Sequence, residues 1–254
     1  MVTPFAEGWL LRRAAKATPI DIEELAGDAV LVLAPHPDDE TLGCGGAIAA
    51  ACLAGKRVVI AAVTDGRRSH PGSRLFAGNA LAELRHRELE TAARLLTDGV
   101  GEVVWLGYPD QAAPASAAAL DRALTRLAAH TDLGAITTVW VSWRHDPHVD
   151  HRRTAALADC LLALLPSLTL WEYPIWGRFI EPAGMAQGSL KWGIRLRTFA
   201  TTAQRERKRS AMAAHRSQMT GLIDDDPQGF VMTPLMQAHF LDTPELFIGG
   251  GRHV

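Results

Sequence analysis

The stretch Ala29-Val30-Leu31-Val32-Leu33-Ala34 runs directly into Pro35-His36-Pro37-Asp38-Asp39-Glu40, and this abrupt change from apolar to polar residues decides the fold prediction. An unbroken apolar run of this length, rich in Val and Leu, predicts a strand buried on both faces, as in a parallel sheet. The Ala-rich stretch at 41–53, closed by Gly55, predicts a helix after it. A strand followed by a polar turn and a helix is the start of a crossover unit, so we expect an α/β fold.

The same alternation continues to about residue 174. Further strands are expected at 57–64, 102–106, 135–143 and 168–173, and further helices at 79–96, 117–129 and 151–165. We therefore predict a Rossmann-like α/β fold, with a mostly parallel sheet and helices on both faces.

The remainder of the chain is less regular. It predicts an edge strand within 190–200, a charged helix at 201–219 and a turn-rich segment after Gly221. We expect a single domain over 1–254, with an α/β core of about 1–174 and a C-terminal extension of about 175–254.

Composition restricts the classes of function that are open to the chain. Of its 254 residues, 48% are hydrophobic and 21% are charged, and the net charge is −2 with the basic residues dispersed. This balance is typical of an ordinary globular enzyme and argues against a nucleic-acid partner. No apolar run approaches the roughly 18 residues of a membrane span. Three cysteines without a CxxC pair, and no signal peptide, predict a cytoplasmic location, whereas the oligomeric state stays open.

The polar turn at 36–40 suggests a metal site. It follows the carboxyl end of a predicted strand, where open α/β sheets bind their ligands. Asp38, Asp39 and Glu40 repel one another unless a cation lies among them, and His36 and Asp39 are close enough to converge on one ion. A solvated turn that caps the next helix is the alternative, since acids favour a helix N-terminus. That alternative explains the acids but not the histidine.

A second polar cluster follows the predicted strand at 135–143. It contains His145, Asp146, His148, Asp150 and His151. Histidine and carboxylate ligands together suit zinc, and three protein ligands leave a position open for water or substrate. Iron(II) could occupy the same ligands. Two solvated loops that are rich in His and Asp by chance remain the alternative without a metal.

The motifs HPDDE at 36–40 and HVDH at 148–151 together resemble the LmbE-like, or PIG-L type, family of zinc-dependent N-acetylglucosaminyl deacetylases. Flanking segments are similar to that family as well: TDG at 64–66, an RxxE pair at Arg85 and Glu88, LGYPD at 106–110, and a late helix at 208–218 with HRSQ at 215–218. The resemblance implies a metal-dependent hydrolase that removes an acyl group, most simply acetyl, from the amide nitrogen of an amino sugar or a related small molecule.

The resemblance also implies roles for individual residues. The metal, Zn²⁺ or Fe²⁺, would be bound by His36, Asp39 and His151. The catalytic residues would be Asp38 as general base, His148 to stabilise the oxyanion, and Asp150 to hold His148 charged and oriented. Arg85 and Asp110 would bind substrate hydroxyls, and Glu40 would support the ligands.

One departure from the family pattern affects the predicted chemistry. Asp146 stands where some members have a tyrosine that helps to bind the tetrahedral intermediate, and an ionised acid cannot donate that hydrogen bond. His145 is an additional histidine, which we interpret as a surface residue.

Two other functions stay open. A non-haem iron oxygenase uses two histidines and a carboxylate, although strand and helix alternation argues against its usual β-barrel. A non-catalytic sugar-binding module has no evident use for an unligated Asp38. Trp176 and Trp192 could line an acceptor pocket, although aromatic residues belong more often to the core.

Overall fold

One twisted sheet passes through the part of the chain that the computed structural model describes, residues 9–179 and 195–249. Its strands are β1 Thr18–Pro19, β2 Ala29–Ala34, β3 Arg57–Thr64, β4 Glu102–Tyr108, β5 Thr138–Ser142, β6 Thr169–Tyr173, β7 Leu196–Phe199 and β8 Glu245–Gly249. They are arranged in the order β1-β7-β8-β6-β5-β2-β3-β4. All neighbouring pairs are parallel except the two that involve β8. The predicted α/β fold with a mostly parallel sheet is confirmed.

Helices cover both faces of the sheet. They are α1 Trp9–Ala14, α2 Ile22–Ala26, α3 Asp39–Leu53, α4 Asn79–Thr97, α5 Ala117–Ala128, α6 Val149–Leu164, α7 Arg205–Ala214, α8 Arg216–Met219 and α9 Pro234–Asp242. Alternate residues of β2 divide the core: Val30 and Val32 pack in the cluster with α3, α4, α7 and α9, and Leu31 and Leu33 pack in the cluster with α5 and α6. Within the described ranges, no helix combines the length and apolarity that a bilayer span requires.

The C-terminal extension contains more regular structure than its sequence indicated. The expectation of a turn-rich segment after Gly221 is wrong from residue 234 onward, where α9 and β8 form. Strand β7 is not at the edge of the sheet, because the short β1 pairs with its outer side. The predicted charged helix is divided at His215 into α7 and α8. These errors share a cause: short elements are decided by distant packing partners, which local patterns do not reveal.

A break in α3 is held by two side chains from this extension. Lys208 Nζ donates to the carbonyl oxygen of Leu42, which precedes the break, at 2.9 Å. The Glu245 carboxylate accepts from the backbone N–H groups of Gly46 and Ala47, which follow the break, at 2.7 and 2.9 Å. Lys208 and Glu245 pair with each other at 2.6 Å, and both side chains are buried. The two ends of the interrupted helix are therefore satisfied by a single buried ion pair.

Candidate active site

The two polar clusters meet because β2 and β5 are parallel neighbours. Their pairing places Leu33 beside Val141, so both strands end at the same edge of the sheet. The turn after β2 and the loop after β5 therefore face each other. The imidazole ring centroids lie 4.6 Å apart for His36 and His148, 5.1 Å for His148 and His151, and 5.4 Å for His36 and His151.

The two predicted histidine ligands converge on one carboxylate oxygen of the third predicted ligand, Asp39. Asp39 Oδ2 lies 3.2 Å from His36 Nδ1 and 3.2 Å from His151 Nε2. His151 is completely buried, and neither of its ring nitrogens has a well-directed hydrogen bond within the described protein. Buried polar atoms without such a bond are rare and call for an explanation, and a bound cation would provide one. Imidazole and carboxylate donors in this arrangement fit zinc or iron(II).

Other side chains beside this trio also have ligand atoms at metal-binding separations. His36, His148 and His151 each offer a nitrogen, and these nitrogens lie within 4.8 Å of one another. A second such set contains His36 and His148 with Asp110 and Asp150. His36 and His148 belong to both sets.

The electrostatics of the cluster favour a cation. Burial would lower the pKa of His151, but the charges of Asp39 and Asp146 raise it to about 9. Burial would also lower the pKa of His36, whose carboxylate contacts, Asp110 first, raise it well above its ordinary value. Burial would raise the pKa of Asp39, yet the neighbouring histidines hold it well below its usual range. The carboxylates thus attract positive charge, which a divalent metal would supply in place of the ring protons.

Asp38 lies beside this cluster in a strained backbone conformation. Its φ of 146° is rarely adopted by a residue with a side chain. Its backbone N–H donates to Glu40 Oε2 at 3.0 Å, and its carboxylate pairs with Arg85 Nη2 at 3.1 Å. Burial raises the pKa of Asp38 to about 6, against the opposing charge of Arg85. A carboxyl group with this pKa is suited to exchange protons near neutral pH.

Glu40 is fully buried and supports Asp38 rather than facing the histidine cluster. Its other oxygen contacts His215 Nε2 at 3.1 Å and accepts from Thr41 Oγ1 at 2.5 Å. The sequence singled out the HRSQ segment only as a family match, and the structure shows that His215 reaches the residue next to the predicted ligand Asp39.

The expected contact between the Asp150 carboxylate and the His148 ring is replaced by other bonds. Asp150 accepts from the backbone N–H groups of Gln111 and Ala113 at 2.7 and 3.1 Å and lies 3.3 Å from His36 Nε2. His148 Nδ1 instead accepts from the backbone N–H of Asp150 at 3.2 Å. Burial, with the charges of the other two histidines, lowers the pKa of His148 to about 4. This shift favours the neutral form of His148, and the Asp150 carboxylate contacts the ring of His36 rather than that of His148.

Arg85 and Asp110 border the same cavity, but most of their polar atoms already have partners. The Arg85 guanidinium donates to the carbonyl oxygens of Gly66 and Pro37 in addition to its pairing with Asp38. Asp110 accepts from the backbone N–H of Arg68 at 3.1 Å and lies 3.4 Å from His36 Nε2. Both side chains are nearly buried, so each supports the site as well as lining it.

The cavity has a polar floor and an apolar wall. Its volume is about 230 Å³. The apolar wall is formed by Leu42, Ile175, Trp176, Phe230 and Met232, and the rings of Trp176 and Phe230 lie 5.6 Å apart, edge to face. Trp176 therefore borders the pocket as predicted, whereas Trp192 lies outside the described residues.

Two residues of this wall come from a segment that sequence analysis assigned only to turns. The backbone N–H of Phe230 donates to Ser69 O at 2.7 Å, and that of Met232 donates to Gln218 O at 2.8 Å. The first bond holds the segment against the loop after β3, and the second holds it against α8. A larger cavity of about 670 Å³, at β1 and β7, is lined by none of the candidate-site residues.

Comparison with known proteins gives a family and a fold. The family described as PIG-L, GlcNAc-PI de-N-acetylase, matches residues 31–161, which include both motifs. An N,N'-diacetylchitobiose deacetylase from Pyrococcus horikoshii, solved with an inhibitor, is 25% identical with a TM-score of 0.61, over 94% of this chain and 89% of that one.

More distant structures share the fold alone. The zinc-inhibited form of the teicoplanin deacetylase Orf2 is 17% identical with a TM-score of 0.61, over 88% of this chain and 98% of that one. A 4-carboxy-2-hydroxymuconate hydratase from Pseudomonas putida is 18% identical with a TM-score of 0.55, over 74% and 78%. The fold thus occurs in enzymes of different chemistry, so the reaction must be argued from the site.

Proposed function

Because this chain belongs to the PIG-L family of GlcNAc-PI de-N-acetylases, we propose that it is a zinc-dependent hydrolase that removes an acetyl group from the nitrogen of an amino sugar. The observation that carries this proposal is the convergence of His36, Asp39 and His151, with the unligated carboxylate of Asp38 alongside. A site built only to hold a metal or a sugar would have no need for that carboxylate.

The metal would be held by His36 Nδ1, Asp39 Oδ2 and His151 Nε2, since Asp39 Oδ2 lies 3.2 Å from each of the two nitrogens. When bound, zinc polarises a carbonyl group and lowers the pKa of a coordinated water to about 7. Asp150 supports this arrangement by contacting the second nitrogen of His36. Metal-binding histidines usually have such a partner, because it fixes the ring and its tautomer.

Asp38 is the proposed general base. Its carboxylate accepts a proton from the water that attacks the amide carbonyl carbon, and then donates that proton to the leaving nitrogen. The C–N bond breaks, and the products are acetate and a primary amine. A pKa near 6 leaves most of the carboxyl ionised at pH 7 and still basic enough to take the proton.

His148 is the proposed donor to the oxyanion. Because Nδ1 accepts a hydrogen bond from the backbone, the neutral ring carries its proton on Nε2 and can donate it toward the cavity. A donor placed where negative charge develops is typically worth about 2.7–4 kcal/mol of the barrier. This proposal replaces the charged His148 that the family resemblance implied.

The cavity suits a small, amphipathic group. Asp110, Gln111 and Gln218 offer polar atoms, and Trp176 and Phe230 offer the apolar surface that sugar rings contact. The diacetylchitobiose deacetylase from P. horikoshii acts on an N-acetylated disaccharide by its name, and we propose N-acetylglucosamine or its conjugates as the substrate class here.

The proposal is tested by assaying the zinc-loaded protein for primary amine release from N-acetylglucosamine and N,N'-diacetylchitobiose. Chelation should abolish the activity, and zinc should restore it. Asp38→Asn should lower kcat by about 10²–10⁴-fold and leave the zinc content unchanged. Glu172→Gln, which alters a buried carboxylate paired with Arg144, is the control and should stay near wild type. Full activity in Asp38→Asn would refute the assignment of the base.

The alternatives give different results in the same assay. An iron oxygenase would consume oxygen and a keto acid and release no amine. A sugar-binding module would bind the amide without cleaving it, and Asp38→Asn would then bind as the wild type does.

A further inference from the structure

Asp146 is buried at the junction between the metal cluster and the wall of the substrate pocket. Its Oδ1 accepts from the backbone N–H of His148 at 3.3 Å and lies 3.2 Å from His151 Nδ1. Its Oδ2 accepts from the backbone N–H groups of Ile175 and Gly177, both at 3.1 Å. One carboxylate thus contacts four nitrogen atoms, two at the start of α6 and two in the turn at 175–177.

We propose that Asp146 is a positioning residue that sets both the metal ligand His151 and the turn that carries Trp176 into the pocket wall. The proposal rests on the function proposed above and assigns a task to a residue that neither touches the substrate cavity nor binds the metal. The metal site and substrate binding would then depend on the same side chain.

The first half of the argument concerns the proton on His151. Each ring nitrogen of His151 lies 3.2 Å from a carboxylate oxygen, Nε2 from Asp39 and Nδ1 from Asp146. A cation between Nε2 and Asp39 would leave the ring proton on Nδ1, where the charge of Asp146 stabilises it. Nε2, which faces Asp39, is then left with a free lone pair for the metal. Removing a carboxylate that orients a metal-binding histidine typically weakens metal affinity by 10–100-fold.

The second half concerns the turn at 175–177. The backbone N–H groups of Ile175 and Gly177 both donate to Asp146 Oδ2. The residue between them is Trp176, whose ring contacts that of Phe230. Gly177 packs so closely on Trp143 that an added Cβ would lie 2.7 Å from its ring. The turn therefore has little freedom while Asp146 is in place.

This geometry also explains the departure from the family pattern. Asp146 is completely buried and is absent from the lining of the cavity, so it cannot take over the hydrogen bond of the tyrosine found in some members. Asp146 would therefore act through the ligand His151, without contact with the substrate.

Asp146→Asn tests the proposal because an amide keeps the shape but offers only one acceptor oxygen. Its NH₂ group must face either His151 or the turn. The two N–H groups of the turn belong to fixed backbone, whereas the His151 ring can change its tautomer, so we expect the amide oxygen to stay with the turn. The zinc dissociation constant, measured by competition with a chromogenic chelator, should rise by about 10–100-fold. The visible absorption spectrum of the cobalt-loaded variant should change as well.

Asp146→Ala removes both oxygens and should add a second effect. Measured at saturating zinc, its KM should rise by about tenfold, the equivalent of one lost contact. Glu172→Gln serves as the matched control, because Glu172 is also buried and accepts from Arg144, two residues before Asp146, but contacts none of the proposed ligands. It should bind zinc like the wild type.

Hydrogen exchange on the wild-type protein provides a test that needs no variant. Loading with zinc should increase the protection of the amides of Ile175 and Gly177 if the metal and the turn are coupled through Asp146. Wild-type zinc affinity and cobalt spectrum in Asp146→Asn, or unchanged protection of these two amides, would overturn the proposal. Absence of zinc binding by the wild type would instead count against the proposed function.

Discussion

Replacement of Lys208 by methionine should destabilise the whole fold far more than the loss of an ordinary ion pair. Lys208 is buried, and its Nζ bonds both Glu245 and the carbonyl oxygen of Leu42 at the break in α3. Methionine fills a similar volume but leaves the Glu245 carboxylate buried without a counter-charge. Removing one partner of a buried pair typically costs about 3–5 kcal/mol. For a domain of this size that corresponds to a fall in Tm of roughly 6–20 °C.

The measurement is urea unfolding of the wild type and Lys208→Met, followed by circular dichroism. Arg205→Met is the control on the same helix, since Arg205 pairs with Asp242 at the surface, where both side chains are well exposed. It should change the free energy of unfolding by about 0–1 kcal/mol.

The double variant Lys208→Met with Glu245→Gln sharpens the test. It should be more stable than Lys208→Met alone, because the neutral amide removes the unpaired buried charge and its single oxygen can still accept from one of the two helix N–H groups. If Lys208→Met is no more destabilising than Arg205→Met, the buried pair does not hold the broken helix.

Two further outcomes concern pH. Arg85→Met removes the cation beside Asp38, so the pKa of that base should rise by about 1–3 units; the acidic limb of kcat/KM against pH should move upward, with activity lost at pH 7 and regained at pH 9. Arg85→Lys keeps the charge and should leave the acidic limb of this pH profile in place. If the limb does not move in Arg85→Met, Arg85 does not set the pKa of Asp38. Burial and the charge of Arg178, whose Nε donates to the ring, lower the pKa of His239 to about 3. Below about pH 6.5, His239 is therefore protonated in the unfolded chain but not in the folded chain. The free energy of unfolding should decrease as the pH is lowered through this window. His239→Gln should lose less stability than the wild type between pH 7 and pH 5 in urea unfolding, and an equal loss would contradict the reasoning.

The sequence predicted those parts of the fold that local pattern decides. The strands at 29–34 and 57–64 have the bounds that the apolar runs indicated, because strands buried on both faces need uninterrupted hydrophobic residues. The meeting of the two polar clusters followed from the rule that ligands collect at the carboxyl ends of parallel strands. What the pattern could not reveal was β8, whose five residues pair with strands far away in the sequence.

Side-chain partners within the site were less predictable than residue types. The family resemblance implied that Asp150 would pair with His148, but two backbone N–H groups after β4 and the ring of His36 contact that carboxylate instead. Those N–H groups come from a loop about forty positions away, and main-chain donors carry no residue-specific signal. The sequence also did not reveal that Phe230 and Met232 form part of the apolar wall. They lie in a segment without helix or strand, and the sequence pattern does not show which distant residues such a segment contacts.

The position of β8 has a consequence for how the chain is made. A ribosome releases residues 29–173 well before residues 245–249, so β2 to β6 can assemble while the outer side of β6 has no partner. An unpaired, apolar strand edge invites association with other nascent chains. The interval between synthesis of β6 and arrival of β8 is therefore when this protein has most need of a chaperone, and mutations that slow docking of β8 should lower soluble yield more than they lower the stability of the finished molecule.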